Sequence, residues 1–152
     1  MTIKQQIKDL GRTLYCKENV LASAPVTMTE GVLEFFHPNK YLTNDELAKE
    51  YETRGLVPAT IEDLILYDEK NRSELDRMQY VGIPWKNENG AWCYATFRRW
   101  SGDERDVHVG RDDSVWIDDW WFAGVRKSAL GKSDSLPSEP LESLNLETRV
   151  KV

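Results

Sequence analysis

All six tryptophans of this 152-residue chain lie between Trp85 and Trp121, and this clustering restricts how the chain can fold. Bulky aromatic residues at this density are typical of β-strands that pack on a core. The residues before this region carry helix signals instead. We therefore predict one α+β globular domain over residues 1–127, in which N-terminal helices (about 1–78) pack on an antiparallel, Trp-rich β-meander (about 79–127). A linker (128–143) and an extended C-terminal arm ending in a strand (144–152) would follow this domain.

Helix-capping patterns divide the first half of the chain. Three residue pairs have the spacing of a capping box, in which each residue bonds the other's backbone: Thr2 and Gln5, Thr43 and Glu46, and Thr60 and Asp63. The first helix would place four apolar residues on one face: Ile3, Ile7, Leu10 and Leu14. The second helix would run to about Arg54 and stop at Gly55, and a last short turn would begin at Ser73. Between the first two helices, Val26–Thr29 and Val32–Phe36 would form a hairpin.

The Trp-rich half predicts four strands, which are Gln79–Lys86, Ala91–Trp100, Arg105–Arg111 and Trp120–Lys127. Because side chains alternate along a strand, each residue can be assigned to one of two faces. The first face is apolar and predicts the core side of the sheet, with Cys93, Ala95, Phe97, Val107, Val109, Trp121, Ala123 and Val125. The second face mixes aromatic and charged side chains, namely Trp92, Tyr94, Arg98, Trp100, Asp106, His108, Trp120, Phe122 and Arg126.

The aromatic second face has two interpretations. The N-terminal helix would cover it, with arginines stacked on the rings, in which case its aromatics belong to ordinary packing. Alternatively the face is a ligand or partner surface, because Trp, Tyr and Arg are enriched among residues that dominate binding. The sequence leaves both open.

The last nine residues have the most regular alternation in the chain. Five apolar or β-branched residues alternate with four polar ones: Leu144, Leu146, Thr148, Val150 and Val152. This pattern is typical of an amphipathic strand. Since a linker precedes it, the strand could close this domain's own sheet edge or bind the sheet of a neighbouring subunit.

Composition and spacing argue against several functional classes. The formal net charge is −6, and Arg98, Arg99, Arg105 and Arg111 are interleaved with acidic residues, so we expect no direct nucleic-acid binding. Apolar runs such as Leu64-Ile65-Leu66 are far too short to cross a bilayer, so we expect no membrane insertion. No secretory signal is apparent, which favours two reduced thiols at Cys16 and Cys93 and a cytoplasmic location.

No arrangement of residues in the sequence predicts a catalytic site, a cofactor or a metal. His37 and His108 lack the spacing of a zinc site with either cysteine. Cys93 and His108 fall on adjacent predicted strands but on opposite faces, which separates them as a nucleophile pair. The acidic loop residues could serve acid–base hydrolysis of a sugar, with Asp113 and Asp118 as the pair, but solvated loop carboxylates explain them equally well.

We therefore expect a non-catalytic structural or protein-interaction component of a multi-subunit assembly, with itself or other assembly subunits as partner. Such a component would suit a phage, in which case its location would be the virion. Two alternatives remain. The first is a small-ligand or carbohydrate-binding module that uses the aromatic face. The second is an acidic inhibitor protein whose carboxylates mimic nucleic acid.

Overall fold

The computed structural model of the chain describes residues 2–25, 28–100, 104–111 and 115–126. Within these residues the helices are α1 (Ile3–Asp9), α2 (Glu18–Ala22), α3 (Asn44–Thr53), α4 (Ile61–Lys70) and α5 (Arg72–Met78). The strands are β1 (Thr13–Cys16), β2 (Val32–Phe36), β3 (Val57–Pro58), β4 (Tyr80–Lys86), β5 (Trp92–Arg99), β6 (Arg105–Arg111) and β7 (Trp121–Arg126). The α+β class is confirmed. The predicted linker and C-terminal arm, including Leu144–Val152, lie outside the described residues.

The strands form one mixed sheet in the order β1-β6-β5-β4-β7-β2, and β3 also pairs with β7. Strands β4, β5 and β6 make the predicted antiparallel meander. The fourth strand corrects the prediction, because β7 lies parallel to β4 and antiparallel to β2. The place beside β6 is taken by β1, which runs parallel to it. The chain from β6 therefore has to cross the sheet before β7 can pair.

Two predictions in the first fifty residues are wrong. The first helix ends at Asp9, Gly11 adopts a φ of +80°, and Leu14 lies in β1 instead of on the helix. The predicted hairpin across Glu30-Gly31 is absent from the described residues, since β2 pairs with β7. Residues 26 and 27 of its first strand lie outside the described ranges. The next two residues bond the start of α4 through their backbone N–H groups, and do not continue a strand.

The two central capping boxes are confirmed. Thr43 and Glu46 bond each other's backbone at the start of α3, and Thr60 and Asp63 do the same for α4. Helix α3 stops where Gly55 adopts a φ of +72°. These caps fix the start of each helix by satisfying N–H groups that no helical carbonyl can reach.

Helices cover the two sheet faces unequally. Helices α1, α2, α4 and α5 bury their apolar residues against the first face, where the predicted core residues lie together with Ile7, Leu64 and Leu75. Helix α3 packs on the second face and contributes Leu47 and Tyr51 to a smaller core. The N-terminal helix therefore does not cover the aromatic face, as one interpretation required. One short helix covers part of it.

A buried ion pair connects helix α4 to strands β5 and β6 of the sheet. The Nε of Arg12 donates to the Asp68 carboxylate at 2.6 Å, and both side chains are almost fully buried. Arg72 donates to the other oxygen of the same carboxylate at 3.0 Å. Arg12 also donates to the backbone carbonyls of Arg98 and Asp106, on β5 and β6. Arg12 therefore binds β5 and β6 from the first face of the sheet, at two residues whose side chains belong to the second face.

Candidate functional site

The half of the second face that α3 leaves uncovered forms a concave site, which we call the aromatic cleft. Its floor lies on β5 and β6, and the start of α3 closes one end. One wall is formed by residues 115–120, which precede β7 and which we call the crossing segment. Its volume is about 320 Å³, and its lining residues are Asn44, Tyr94, Thr96, Arg98, His108, Val115, Trp116, Ile117 and Trp120.

Trp116 holds the wall of the cleft in place through three contacts. Its backbone exchanges two hydrogen bonds with Leu42, at 2.7 and 3.0 Å. Its indole Nε1 donates to the Asn44 side chain at 2.9 Å, and the group is buried. Its six-membered ring lies directly on Gly82 of β4, where a Cβ atom would be 2.7 Å from the ring. The crossing segment therefore packs on the sheet through a gap left by a missing side chain.

The aromatic rings of the cleft contact one another edge to face. Trp116 is nearly perpendicular to both Tyr94 and Trp120, with ring centroids 6.0 and 5.2 Å apart. Tyr94 meets His108 in the same way at 6.0 Å. The Tyr94 ring can lie low on the sheet because its neighbour on β6 is Gly110, whose Cβ would be 2.7 Å from the tyrosine hydroxyl. Edge-to-face contacts are a favourable geometry for aromatic rings.

The charged groups at the floor of the cleft are paired. Arg98 donates two hydrogen bonds to the Asp106 carboxylate, at 2.9 and 3.2 Å. The Trp100 indole donates to the same carboxylate at 2.7 Å, and the Arg98 guanidinium lies 4.7 Å from the centre of the Trp100 ring. The arginine is thus stacked on a ring, as one interpretation of this face expected. The pairing leaves the floor without net charge.

His108 is a titratable side chain that lines the cleft. Burial and the neighbouring Arg98 guanidinium lower the pKa of His108 from its ordinary value of 6.5, while Asp106 opposes this shift. The imidazole is therefore neutral at pH 7. Within the described residues its ring nitrogens have no hydrogen-bond partner, and a neutral imidazole can both donate and accept a hydrogen bond.

The structure separates the residues predicted for the aromatic face into two groups. Tyr94, Arg98, His108 and Trp120 line the cleft, and Trp100 lies behind Arg98. Asp106 pairs with Arg98 at the floor of the cleft, and the remaining three predicted residues are elsewhere: Trp92, Phe122 and Arg126.

Each of these three has a structural contact. The Trp92 indole donates to Asp45 on α3, and Phe122 is buried against Trp116. Arg126 forms a bidentate pair with Glu34, which holds the pKa of that carboxyl below its usual value. These residues support the fold and do not reach the cleft.

Several cleft residues escaped the sequence prediction. Thr96 lies between Tyr94 and Arg98 in the same alternation, so period two could have included it. Trp116, Val115 and Ile117 lie in a segment without periodicity, and Asn44 only follows a helix cap. A glycine within a strand often marks a place where another group approaches the backbone closely. Gly82 is such a glycine, so its position in β4 could have indicated that a ring packs there.

The sequence also raised a nucleophile pair, a carboxylate pair and metal binding, and the described residues form none of these arrangements. Cys93 is buried in the core on the opposite face from His108, as the alternation predicted. Asp118 is exposed, and Asp113 lies outside the described residues, so the suggested carboxylate pair has no geometry to assess. No three His, Cys, Asp or Glu side chains among the described residues are placed to hold a metal ion. None of the described helices has the length and apolar character needed to cross a membrane.

Comparisons with known proteins add no identification. No family model, no curated protein and no solved structure matches this chain.

Proposed function

We propose that this protein is a non-catalytic binding protein that holds a small ligand in the aromatic cleft. The observation that supports the proposal is the cleft itself, a concavity of about 320 Å³ on the part of the sheet that no described helix covers. Ligand sites are typically concave and mostly apolar, with a few polar groups that fix the orientation of the ligand. Aromatic walls around the Thr96 hydroxyl and the His108 imidazole match this composition.

The rim of the cleft also favours binding over simple packing. Val115 and Ile117 line the cleft and are 47% and 44% exposed, and Tyr41, which is not a lining residue, is 64% exposed. They flank Leu42 and Trp116, the two residues that bridge the wall to the rest of the chain. Single exposed apolar residues are common, but a group of them around a concave site is typical of interaction surfaces.

A fragment screen on two matched tryptophan variants tests this proposal. Trp120→Ala removes a half-buried wall of the cleft, whereas Trp92→Ala removes a half-buried tryptophan of the same sheet face that does not line the cleft. We expect some fragments to raise the midpoint temperature of the wild type and of Trp92→Ala, but not of Trp120→Ala. A ligand at one hundred times its dissociation constant should stabilise the fold by about 2.7 kcal/mol. A screen without binders, or with binders that tolerate Trp120→Ala, would refute the proposal.

A second candidate function is an assembly component that uses the C-terminal arm. It is supported by the alternation from Leu144 to Val152 in the sequence, together with the positions of β1 and β2 at the two ends of the sheet order. Strand addition to a sheet edge would use backbone hydrogen bonds for affinity and the alternating side chains for specificity.

Light scattering coupled to size exclusion tests the assembly role, comparing the full chain with a truncation after Gly131. The assembly role predicts a defined oligomer that becomes monomeric on truncation. Two monomers of equal stability would count against an arm that joins copies of this chain.

A further inference from the structure

The charge balance of the aromatic cleft narrows the class of ligand. The guanidinium of Arg98 is compensated by Asp106, and among the described residues no other lining side chain carries a formal charge at pH 7. Burying an ion without a partner is costly, so a phosphate, carboxylate or ammonium group would lose its hydration and gain no opposite charge in this cleft. A net charge on the ligand is therefore unfavourable.

The size and polarity of the cleft restrict the class of ligand further. A volume of about 320 Å³ is at the small end of ligand sites and suits a single ring. Tyr94 and Trp120 line the cleft together with two polar groups, the Thr96 hydroxyl and the His108 imidazole. The Thr96 hydroxyl donates to the His108 carbonyl at 3.4 Å, so it can accept a hydrogen bond from a ligand, while the imidazole can donate or accept. A pyranose combines C–H groups on its faces with hydroxyl groups around its edge, so it can contact both kinds of surface at once.

We propose that the aromatic cleft binds an uncharged sugar ring, with Thr96 and His108 contacting its hydroxyl groups. This inference rests on the proposed function and names the ligand class for the same site. A single sugar ring buries little surface, so we expect a dissociation constant on the order of 1 mM. The natural ligand would be a neutral sugar or one neutral unit of a larger glycan.

Calorimetric titration of the full chain with matched sugars tests the charge argument. The neutral probes are the methyl glycosides of glucose, galactose, mannose and N-acetylglucosamine, and the charged counterparts are glucuronate and glucosamine. We expect at least one neutral probe to bind, and both charged probes to bind at least about tenfold more weakly. Equal binding of neutral and charged probes would overturn the inference.

Two variants test the named polar contacts. Thr96→Val and His108→Phe nearly preserve side-chain volume while removing the polar atoms, and circular dichroism checks that both fold. We expect each to weaken binding of the neutral sugar at least about fivefold, as expected for a lost hydrogen bond. Unchanged affinity in both variants would overturn the assigned contacts.

The fragment screen separates failure of this inference from failure of the proposed function. If no sugar binds while uncharged heterocycles bind in a manner sensitive to Trp120→Ala, the sugar class is wrong and the cleft remains a ligand site. If nothing binds in a manner sensitive to Trp120→Ala, both proposals fail.

Discussion

Replacing Gly82 with alanine should disturb the cleft without replacing any lining residue. The added Cβ would be 2.7 and 2.9 Å from two atoms of the Trp116 ring, both closer than real Cβ contacts allow. The ring must therefore move away from β4. Such overpacking typically costs about 1–3 kcal/mol. Moving the ring also strains or breaks its 2.9 Å hydrogen bond to Asn44, which adds about 1 kcal/mol.

We therefore expect Gly82→Ala to lower the free energy of unfolding by about 2–4 kcal/mol. Urea denaturation followed by far-UV circular dichroism measures this loss without relying on tryptophan fluorescence. The matched control is the same substitution in a Trp116→Leu background, where the clash is absent. There Gly82→Ala should cost no more than about 1 kcal/mol, and the difference is the coupling energy of the two sites. An equal cost in both backgrounds would show that the ring does not lie on Gly82.

Three further predictions concern the helices, the buried ion pair and the cleft histidine. Asp68→Ala leaves the Arg12 guanidinium buried without its carboxylate, and should cost about 3–5 kcal/mol in urea denaturation, whereas a loss below about 1 kcal/mol would contradict the buried pair. Thr43→Ala removes the side-chain cap opposite Glu46 and should cost about 1 kcal/mol by the same measurement. Since the folded pKa of His108 is lowered, the unfolded state takes up a proton first as the pH falls. The wild type should thus lose stability from about pH 6.5 downward, and His108→Gln should lose less over that range, while identical pH profiles would contradict the shift.

Local signals in the sequence predicted local structure well. The capping boxes at Thr43 and Thr60 depend on residues three positions apart, so a single sequence contains all the information that they need. The alternation in β5, β6 and β7 is equally local, and it separated the buried face, with Phe97 and Val107, from the face that carries Tyr94 and His108. These elements, and the sheet face on which each side chain lies, could be predicted without knowledge of the rest of the chain.

Pairing between distant segments could not be predicted in the same way. Strand β1 begins at position 13 and pairs with β6, which lies more than ninety residues later in the chain. The four residues of β1 have no sequence pattern that identifies β6 as the strand with which they pair. The position of β7 beside β4 depends on where the chain crosses the sheet, and Trp116 fixes that crossing through Leu42 and Gly82. A tryptophan in an aperiodic segment gives no sign of the surface on which it packs. The sequence therefore placed Tyr94 and His108 on one face but did not indicate that Trp116 would close a cleft over them.

Indole N–H signals in a ¹H–¹⁵N NMR spectrum test ligand binding in the aromatic cleft most directly. Trp116 and Trp120 line the cleft, whereas Trp85 lies on the opposite face and donates to Ser23, so one spectrum contains both the probe and its control. On titration with the best-binding fragment or sugar, the signals of Trp116 and Trp120 should shift in a saturable way while that of Trp85 stays fixed. Saturable shifts at Trp85, with both cleft signals unchanged, would contradict the account.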